Sequence, residues 1–411
     1  MNIALLNDEM LPAGLGGAPV VVDRLRRGFV ARGHIVTLIT THQEESRGSI
    51  IRSQDDAGSI ISIYSNVPHR DRHRRCVRNP FVMKVLKEIW TEDKPDVVHA
   101  HNLHTNLSYG ALTIARKFTD KVFLTAHDTF LVTFARVNSE AYRRATRAGH
   151  PYRMRVIDHV KAVGRRYWPF RNAGIKKTLR STGTRVIAVS RALEDFLRAN
   201  RIQHTVVIPN CVPDRSLPDG TAVEAFREKY RLDGPTILFA GRISRDKGID
   251  ALLAAAPDIL AQVPNARFLI AGEEKRLQPS LAGISAQVRA AVRTTGWLDQ
   301  EEMPLAYGAA DVVTTPSICL DSFNLTNIEA MQAGKPVVGT IFGGTAEIVK
   351  DSVTGILVDP TDTRSYASAL AELLRDPARA KKMGEAGRAR VHDQFSLEKQ
   401  ISAHETLYRS K

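Results

Sequence analysis

Residues 314–340 read "TTPSICLDSFNLTNIEAMQAGKPVVGT". An apolar strand pattern ends near Ser317, and a helical pattern begins near Leu325. Two carboxylates, Asp321 and Glu329, flank that junction: the first precedes the predicted helix and the second lies within it. The free backbone N–H groups of a helix's first turn stabilise an anion. This strand–loop–helix pattern therefore favours an anion-binding site at the end of a buried strand.

The two acids have two interpretations. Asp321 could accept hydrogen bonds from sugar hydroxyls, and Glu329 could accept two from a ribose diol. A nucleotide sugar presents its groups in that order, namely sugar, diphosphate and ribose. The alternative is a helix with an acid near its N-terminus that favours the dipole, followed by an interior Glu with no special role. Spacing alone leaves both interpretations open.

Strands and helices alternate on both sides of this stretch. Such alternation predicts an α/β protein with parallel, doubly wound sheets. The alternation restarts at 236–242 after a segment rich in Pro, Asp and Gly, 208–220, which we interpret as a hinge. The sequence thus predicts two facing Rossmann-like domains, with a cleft at the carboxyl ends of their strands. The predicted strands are 2–7, 34–40, 96–101, 122–127, 185–190, 236–242, 266–272, 312–317 and 336–340.

The segment "FAGRISRDKGID" (239–250) places two cations after a predicted strand. Arg242 and Lys247 lie on the loop that leads to the next helix. A guanidinium and an ammonium directed at one point suit a diphosphate, which gains charge as it leaves a sugar. An exposed basic loop is the alternative, and the position at a strand's carboxyl end favours the diphosphate.

Glycines cluster near the N-terminus in "LPAGLGGAPVVVDRL" (11–25). Gly14, Gly16 and Gly17 precede a predicted helix, so the backbone there could approach a ligand closely. The third glycine of a dinucleotide-binding fingerprint would fall on Pro19, which argues against NAD. We predict a loop that faces a phosphate or a sugar, with simple loop flexibility as the alternative.

The segments "FAGRISRDKG", "TPSICLDSFNLTNIEAMQAGKPVVGT", "DVVHAHNLH" and "TAHDTF" resemble retaining glycosyltransferases of the GT-B fold, family four of the carbohydrate-active enzyme classification. The resemblance implies an acceptor-binding Rossmann-like domain over 1–205 and a donor-binding one over 206–385. A C-terminal helix over 386–411 would pack back toward the first domain. The implied activity is transfer of a sugar from a nucleoside-diphosphate sugar to an acceptor hydroxyl, in polysaccharide or glycolipid assembly, without a cofactor or metal.

The resemblance also assigns roles to individual residues. Arg242 and Lys247 match the family's diphosphate-binding pair, and His127 matches the histidine near the reacting carbon of the sugar. The residues implied to bind the donor are Gly16, Gly17, Asp321, Phe323, Asn324, Leu325, Thr326 and Glu329. Two departures affect sugar recognition. The first acid is Asp instead of the usual Glu, and Asn324 stands where the family has Gly, although Asn tolerates a left-handed backbone.

Three other functions would each account for part of the sequence. His99, His101 and His104 in "HAHNLH" fit the histidines of a zinc hydrolase signature, but Leu103 occupies its aspartate position. A sugar-nucleotide epimerase, or an inactive relative of the same fold, would share the donor motifs. A nucleic-acid binder would explain the net charge of +14, but no DNA- or RNA-binding motif is present.

The positive charge is concentrated in two stretches. Residues 67–90 contain seven Lys and Arg against two acids, and residues 136–180 contain thirteen against two. A helix predicted near 152–163 would place Tyr152, Val156, Val160 and Val163 on one side. Basic residues with aromatic neighbours suit an anionic membrane surface, although an ordinary amphipathic helix fits as well. With no signal-peptide or spanning pattern, and with three separated cysteines, we expect a cytoplasmic protein, peripheral on the inner membrane face.

Overall fold

The computed structural model describes residues 1–10 and 17–410. The chain divides into two compact units. The first comprises residues 1–138, 150–211 and 397–411, and the second comprises 139–149 and 212–396. The sequence placed the corresponding boundaries at 205 and 385.

The first unit is built on an eight-stranded sheet with the order β3-β4-β2-β1-β5-β6-β7-β8. All neighbouring strands pair in parallel except β3 and β4, which pair antiparallel. The strands are β1 Asn2–Leu6, β2 Ile35–His42, β3 Ile50–Asp55, β4 Gly58–Tyr64, β5 Val97–Ala100, β6 Val122–Ala126, β7 Arg185–Ala188 and β8 Thr205–Val207.

The second unit is built on a six-stranded parallel sheet with the order β11-β10-β9-β12-β13-β14. Its central strand sends alternate side chains to two hydrophobic layers, Ile237 and Phe239 to one and Leu238 to the other. A strand buried on both faces requires such a continuous apolar run. The strands are β9 Thr236–Ala240, β10 Arg267–Ala271, β11 Val292–Gly296, β12 Val312–Thr315, β13 Val337–Thr340 and β14 Gly355–Val358.

Helices connect these strands in both units. They are α1 Gly17–Ala31, α2 Arg72–Arg75, α3 Pro80–Glu92, α4 Gly110–Ala115, α5 Ser139–Arg147, α6 Val156–Val163, α7 Phe170–Ser181, α8 Arg191–Ala199, α9 Gly220–Lys229, α10 Ile249–Gln262, α11 Glu274–Leu281, α12 Ala286–Ala291, α13 Met303–Ala309, α14 Leu325–Gln332, α15 Thr345–Ile348, α16 Thr363–Arg375, α17 Pro377–Gln394 and α18 Leu397–Arg409. The last of them, α18, belongs to the first unit. It packs closely on α1, where a Cβ on Gly28 would lie 2.7 Å from Ile401.

The prediction of two Rossmann-like α/β domains is confirmed. The sequence did not predict the β3–β4 hairpin at the edge of the first sheet. Only two residues join these strands, too few for a crossover, so they must pair antiparallel. Most side chains of β3 are exposed, and the strand therefore carries little apolar signal.

Candidate functional site

The predicted cations meet at the switch point of the second sheet. The order of strands places β9 between β10 and β12, and ligands of such sheets bind where the connections diverge. A cavity that is open to solvent lies at the carboxyl ends of β9 and β12. Its lining residues are Phe239, Ala240, Gly241, Arg242, Lys247, Thr314, Thr315, Ser317, Asn324 and Thr326.

Lys247 and Asp321 form an ion pair beside this cavity. The Lys247 Nζ lies 2.5 Å from Asp321 Oδ2, and the Ser317 hydroxyl donates to the same oxygen at 3.1 Å. The side chains are only 24% and 11% exposed, so water screens the pair incompletely. The sequence assigned these residues separately, to the diphosphate and to the sugar. The structure shows that each holds the other in position.

Two glycines allow the loops around this pair to approach each other. Gly248, with φ +83°, follows Lys247, and a Cβ there would lie 1.8 Å from the carbonyl oxygen of Pro316. Gly343, with φ +66°, lies against Asp321, where a Cβ would lie 2.3 Å from its carbonyl oxygen. Only glycine combines a left-handed backbone with such close contacts.

The start of α14 forms one wall of the cavity. Asn324 is the N-cap, and its side-chain oxygen accepts the Thr326 backbone N–H at 3.1 Å. Its φ of −84° is an ordinary extended value, so the substitution of Asn for Gly is tolerated by capping and not by a left-handed turn. Phe323 and Leu325 pack against the hydrophobic core of this unit. They can therefore contribute backbone groups, but not side chains, to the cavity.

Glu329 lies farther along α14 and is half-buried. The hydroxyl of Tyr307, on α13, donates to Glu329 Oε2 at 3.0 Å. This hydrogen bond orients a carboxylate that the resemblance assigns to the ribose. Tyr307 itself was not predicted, because no sequence signal connects the two helices.

The helix α5 is the largest element near the site that the sequence did not predict. It interrupts the first unit along the chain, yet it packs within the second. Ser139 donates to Asp246 at 3.0 Å, and Arg143 donates to the Ile318 carbonyl at 3.0 Å. The backbone N–H of Gly343 donates to the Tyr142 hydroxyl at 2.9 Å. Thus α5 forms hydrogen bonds to three loops that surround Lys247 and Asp321.

The far end of α5 is anchored by charge. Arg147 donates to Asp359 at 2.8 Å, and its guanidinium lies 5.7 Å from the centre of the Phe342 ring. Desolvation would raise the pKa of Asp359, but hydrogen bonds from Thr361 and Arg147 together lower it. The sequence predicts that the many cations of 136–180 form one basic patch. The structure instead distributes that segment between the two units.

In the first unit, histidines occupy the carboxyl edge of β5 and β6. His101 and His127 share a hydrogen bond of 2.9 Å between Nδ1 and Nε2, and their rings stack at 5.2 Å. His99 is bonded to Tyr408 at 2.6 Å and to Thr125 at 2.7 Å. Burial lowers the pKa of His99 and His101 well below the usual value. The imidazoles are therefore neutral at pH 7.

His127 and its neighbour Asp128 differ in their protonation behaviour. Burial lowers the pKa of His127 to about 4. Desolvation would raise the pKa of Asp128, but the charge and hydrogen bond of His104, at 3.0 Å, help to lower it to about 2. His127 is thus a neutral hydrogen-bonding group beside an ionised carboxylate.

The zinc alternative finds little geometric support. His99, His101 and His104 each hydrogen-bond to a different protein partner. Across residues 1–10 and 17–410, no group of three or more His, Cys, Asp or Glu side chains is arranged to hold a metal ion.

Two further predictions concern the N-terminal glycines and the membrane. Gly17 begins α1, whereas Gly14 and Gly16 lie outside the described residues. Within the described part of the chain, none of the helices combines the length and apolar character needed to cross a bilayer.

Two protein-family models match the chain. "Glycosyltransferase Family 4" matches residues 15–215, and "Glycosyl transferases group 1" matches residues 222–390. The chain belongs to glycosyltransferase family 4. The resemblance noted in the sequence is thereby confirmed, and the two matches coincide with the two sheet-containing parts of this family 4 chain.

Similar proteins include a GDP-mannose-dependent alpha-(1-6)-phosphatidylinositol monomannoside mannosyltransferase of Mycolicibacterium smegmatis. It is 34% identical over 192 residues, 44% of this family 4 chain and 49% of the relative. The chain thus spans about half the length of the mannosyltransferases that it matches.

Two solved structures share the fold over nearly the whole chain. Sucrose-phosphate synthase from Thermosynechococcus elongatus superposes with a TM-score of 0.72 at 22% identity, covering 99% of this chain and 98% of that one. The HepE protein of Anabaena, solved with UDP-glucose, has a TM-score of 0.69 at 18% identity, covering 99% of both chains. At these identities the likeness establishes the GT-B fold.

Proposed function

We propose that this chain is a retaining glycosyltransferase that transfers a sugar from a nucleoside-diphosphate sugar to an acceptor hydroxyl. One observation carries the proposal: Arg242, Lys247 and the first turn of α14 line one cavity at the switch point of the second sheet. Two cations and a helix N-terminus stabilise a diphosphate in that position. Membership of family 4 supports the same activity.

The proposed chemistry exchanges one bond for another at the sugar's anomeric carbon. The bond to the diphosphate oxygen breaks, and the bond to the acceptor oxygen forms on the same face. The departing diphosphate takes the acceptor's proton, so that no protein nucleophile and no metal is required. Arg242 and Lys247 neutralise the charge that develops on the leaving oxygen, which is where electrostatic stabilisation lowers the barrier most.

The other predicted residues serve in binding. Glu329, oriented by Tyr307, accepts hydrogen bonds from the ribose, and Asp321 contacts the sugar while it holds Lys247. His127 is neutral at pH 7 and can therefore exchange hydrogen bonds with a sugar hydroxyl without adding charge. No cofactor is proposed besides the nucleotide sugar.

A donor screen tests the proposal. GDP-, UDP- and ADP-sugars, including GDP-mannose and UDP-glucose, are incubated with the protein and a set of glycan and glycolipid acceptors. Release of nucleoside diphosphate together with a glycosylated product supports the proposal. An isomerised nucleotide sugar without release would identify an epimerase, and no reaction with any donor would indicate an inactive relative.

Two further measurements test the mechanism. The anomeric configuration of the product, read by NMR, should equal that of the donor; inversion would contradict the retaining assignment. Activity should persist after dialysis against a chelator, and a loss that zinc or magnesium restores would contradict metal independence.

A second candidate property is attachment to anionic membranes through α6. This helix begins at Val156, so Tyr152 lies outside it, and Val163 is buried. Val156, Ile157 and Val160 are instead exposed, and Arg153, Arg155 and Lys161 are exposed nearby. Apolar side chains flanked by cations suit the headgroup region of an acidic bilayer. The enzyme would then act as a peripheral protein on a lipid-linked acceptor.

Vesicle flotation tests this attachment. Binding should require acidic lipid, weaken with salt, and fall when Arg153, Arg155 and Lys161 are all changed to Gln. A triple change of Arg276, Lys381 and Lys382, exposed cations of the second unit, is the matched control and should leave flotation intact. Absence of binding to acidic vesicles at low salt would exclude the membrane role.

A further inference from the structure

We propose that the first unit contains a binding site for a phosphate group of the acceptor, centred on the guanidinium of Arg72. The inference rests on the proposed transferase function, because it names the chemical class of the acceptor. It explains why residues 150–180 of the second basic stretch lie in the same unit as the first stretch, 67–90. Arg166 from the second stretch hydrogen-bonds His69 of the first at 2.9 Å.

A single aromatic ring marks the centre of this convergence. The guanidinium carbon of Arg72 lies 5.0 Å from the centre of the Phe130 ring, and that of Arg171 lies 4.3 Å from it. Cations over an aromatic face are attracted to it. Two arginines on one ring nevertheless repel each other, so the arrangement gains from an added anion.

Arg171 forms the buried base of the site. It is fully buried, and its guanidinium donates to the Phe130 carbonyl at 2.5 Å and to the Asn172 side chain at 2.7 Å. Both acceptors are neutral, and among the described residues no carboxylate pairs with it. A buried cation without a counter-ion lowers the free energy of unfolding, because its desolvation is not compensated. The cost persists unless a negative charge lies near.

Arg72 is the accessible member of the site. It is half-buried, and its Nε is shielded from water without a hydrogen-bond partner. Within residues 1–10 and 17–410, its guanidinium forms no hydrogen bond or ion pair with another side chain. Burial lowers its pKa and the charge of Arg171 lowers it further, whereas Cys76, Asp128 and Asp8 act in the opposite direction. An incoming phosphate can satisfy the guanidinium fork in the bidentate geometry that arginine favours.

The nearby carboxylates are already engaged. Asp128 is paired with His104 at 3.0 Å. Asp8 accepts backbone N–H groups from Thr105 at 2.6 Å and Leu107 at 2.7 Å. Among the described residues neither carboxylate forms an ion pair with Arg72, although the charges of both act to raise its pKa.

The location suits an acceptor. Phe130 and Asp128 follow β6 directly, on the same carboxyl edge as His127. The His104 ring packs at 4.3 Å from Phe130, which joins the histidine edge to the arginine site. An acceptor held here by its phosphate would present its hydroxyls along that edge. The phosphate could belong to a soluble phosphomonoester or to a phospholipid headgroup.

Binding measurements test the site without any nucleotide sugar. The wild-type protein is titrated calorimetrically with inorganic phosphate and glycerol phosphate, and separately with vesicles of phosphatidylinositol in phosphatidylcholine. Arg72→Gln should weaken binding about tenfold, the typical worth of a charge-assisted contact. Arg74→Gln alters an exposed arginine of the same helix, α2, and should leave binding unchanged.

The outcomes separate the sources and the hypotheses. Affinity for soluble phosphates indicates a free phosphorylated acceptor, and affinity for phosphatidylinositol vesicles alone indicates a lipid headgroup. Failure of the wild type to bind either, or equal losses in Arg72→Gln and Arg74→Gln, would overturn the site. Arg72→Lys, which keeps the charge, should retain part of the affinity and serves if Arg72→Gln unfolds. Phosphate binding without turnover on any donor would reject the transferase and leave the site intact.

Discussion

The two sheets differ in the side chains at the carboxyl ends of their strands. The second sheet carries charged residues there, such as Lys247 and Asp321 (the charged edge), and the first sheet carries histidines (the histidine edge). The charged edge is held by ion pairs, a capped helix and close loop contacts. The histidine edge is held by hydrogen bonds between neutral rings whose pKa values burial has lowered. The same sheet architecture thus carries an ion pair at one edge and neutral, hydrogen-bonded histidines at the other.

The largest expected effect is the loss of turnover when a cation of the charged edge is removed. Arg242→Gln and Lys247→Met should each reduce turnover by roughly 10²–10³, about 2.7–4 kcal/mol, because these cations matter most as the diphosphate leaves. Steady-state kinetics with the donor found in the screen measures this loss. Arg245→Gln is the matched control, since Arg245 is exposed in the same turn and does not line the cavity. Near wild-type turnover in both variants would contradict the site.

Acidification should distinguish the two edges. Burial lowers the pKa of His127 to about 4 and that of His404 to about 3, whereas both titrate near 6.5 when unfolded. Below about pH 6.5 the unfolded chain binds more protons, so the first unit's free energy of unfolding falls as the pH decreases, by at most about 1.4 kcal/mol per pH unit for each histidine. The second unit's Asp359 has a lowered pKa, and its contribution is lost only at more acidic pH.

The free energy of unfolding of each unit can be measured between about pH 7 and about pH 5. The protein is unfolded in denaturant, and proteolysis with mass spectrometry monitors the unfolding of each unit. The first unit should lose more stability than the second. His404→Gln should reduce that difference, while His150→Asn, at an exposed position, should not. Equal losses in the two units would contradict the origin of the pH dependence in the buried histidines.

The ion pair between Lys247 and Asp321 changes the effect that we expect from substituting Asp321. If Asp321 contacted only the sugar, Asp321→Ala would spare binding of the free nucleoside diphosphate. Because Asp321 holds Lys247 at 2.5 Å, we expect that affinity to fall as well, roughly tenfold or about 1.4 kcal/mol. Asp321→Asn keeps a hydrogen-bond acceptor for Lys247. Its affinity for nucleoside diphosphate should therefore lie between those of the wild type and Asp321→Ala. Calorimetric titration with nucleoside diphosphate measures these affinities. An unchanged affinity in Asp321→Ala would indicate that Asp321 contacts only the sugar.

The smallest expected effect concerns α5. Tyr142→Phe removes the acceptor of the Gly343 N–H, a loss of about 1 kcal/mol. The donor KM should rise several-fold while kcat changes little, because the loop is displaced but the cations remain. Arg144→Gln, an exposed change on the same helix, is the control. A KM equal to that of the wild type would show that α5 does not position the site.

The sequence alone was sufficient for the fold class and for the location of the charged edge. Buried parallel strands need continuous apolar runs, and a strand followed by a loop and a helix is a local pattern. Such a pattern predicted Arg242 and Lys247, the family resemblance added Asn324 and Thr326, and the structure places all four around one cavity. Their roles in binding and catalysis stay predictions.

Tertiary structure decided which residues meet across long separations in the chain. No local pattern could show that Asp321 pairs with Lys247, that α5 packs within the second unit, or that Arg166 contacts His69. These contacts depend on how distant segments pack, and an exposed or polar side chain leaves no periodic signal of its partner. The histidines of "HAHNLH" illustrate the same limit. Their sequence pattern suggests a metal site, but His99 and His101 are buried, neutral hydrogen-bonding groups, and His104 is hydrogen-bonded to Asp128.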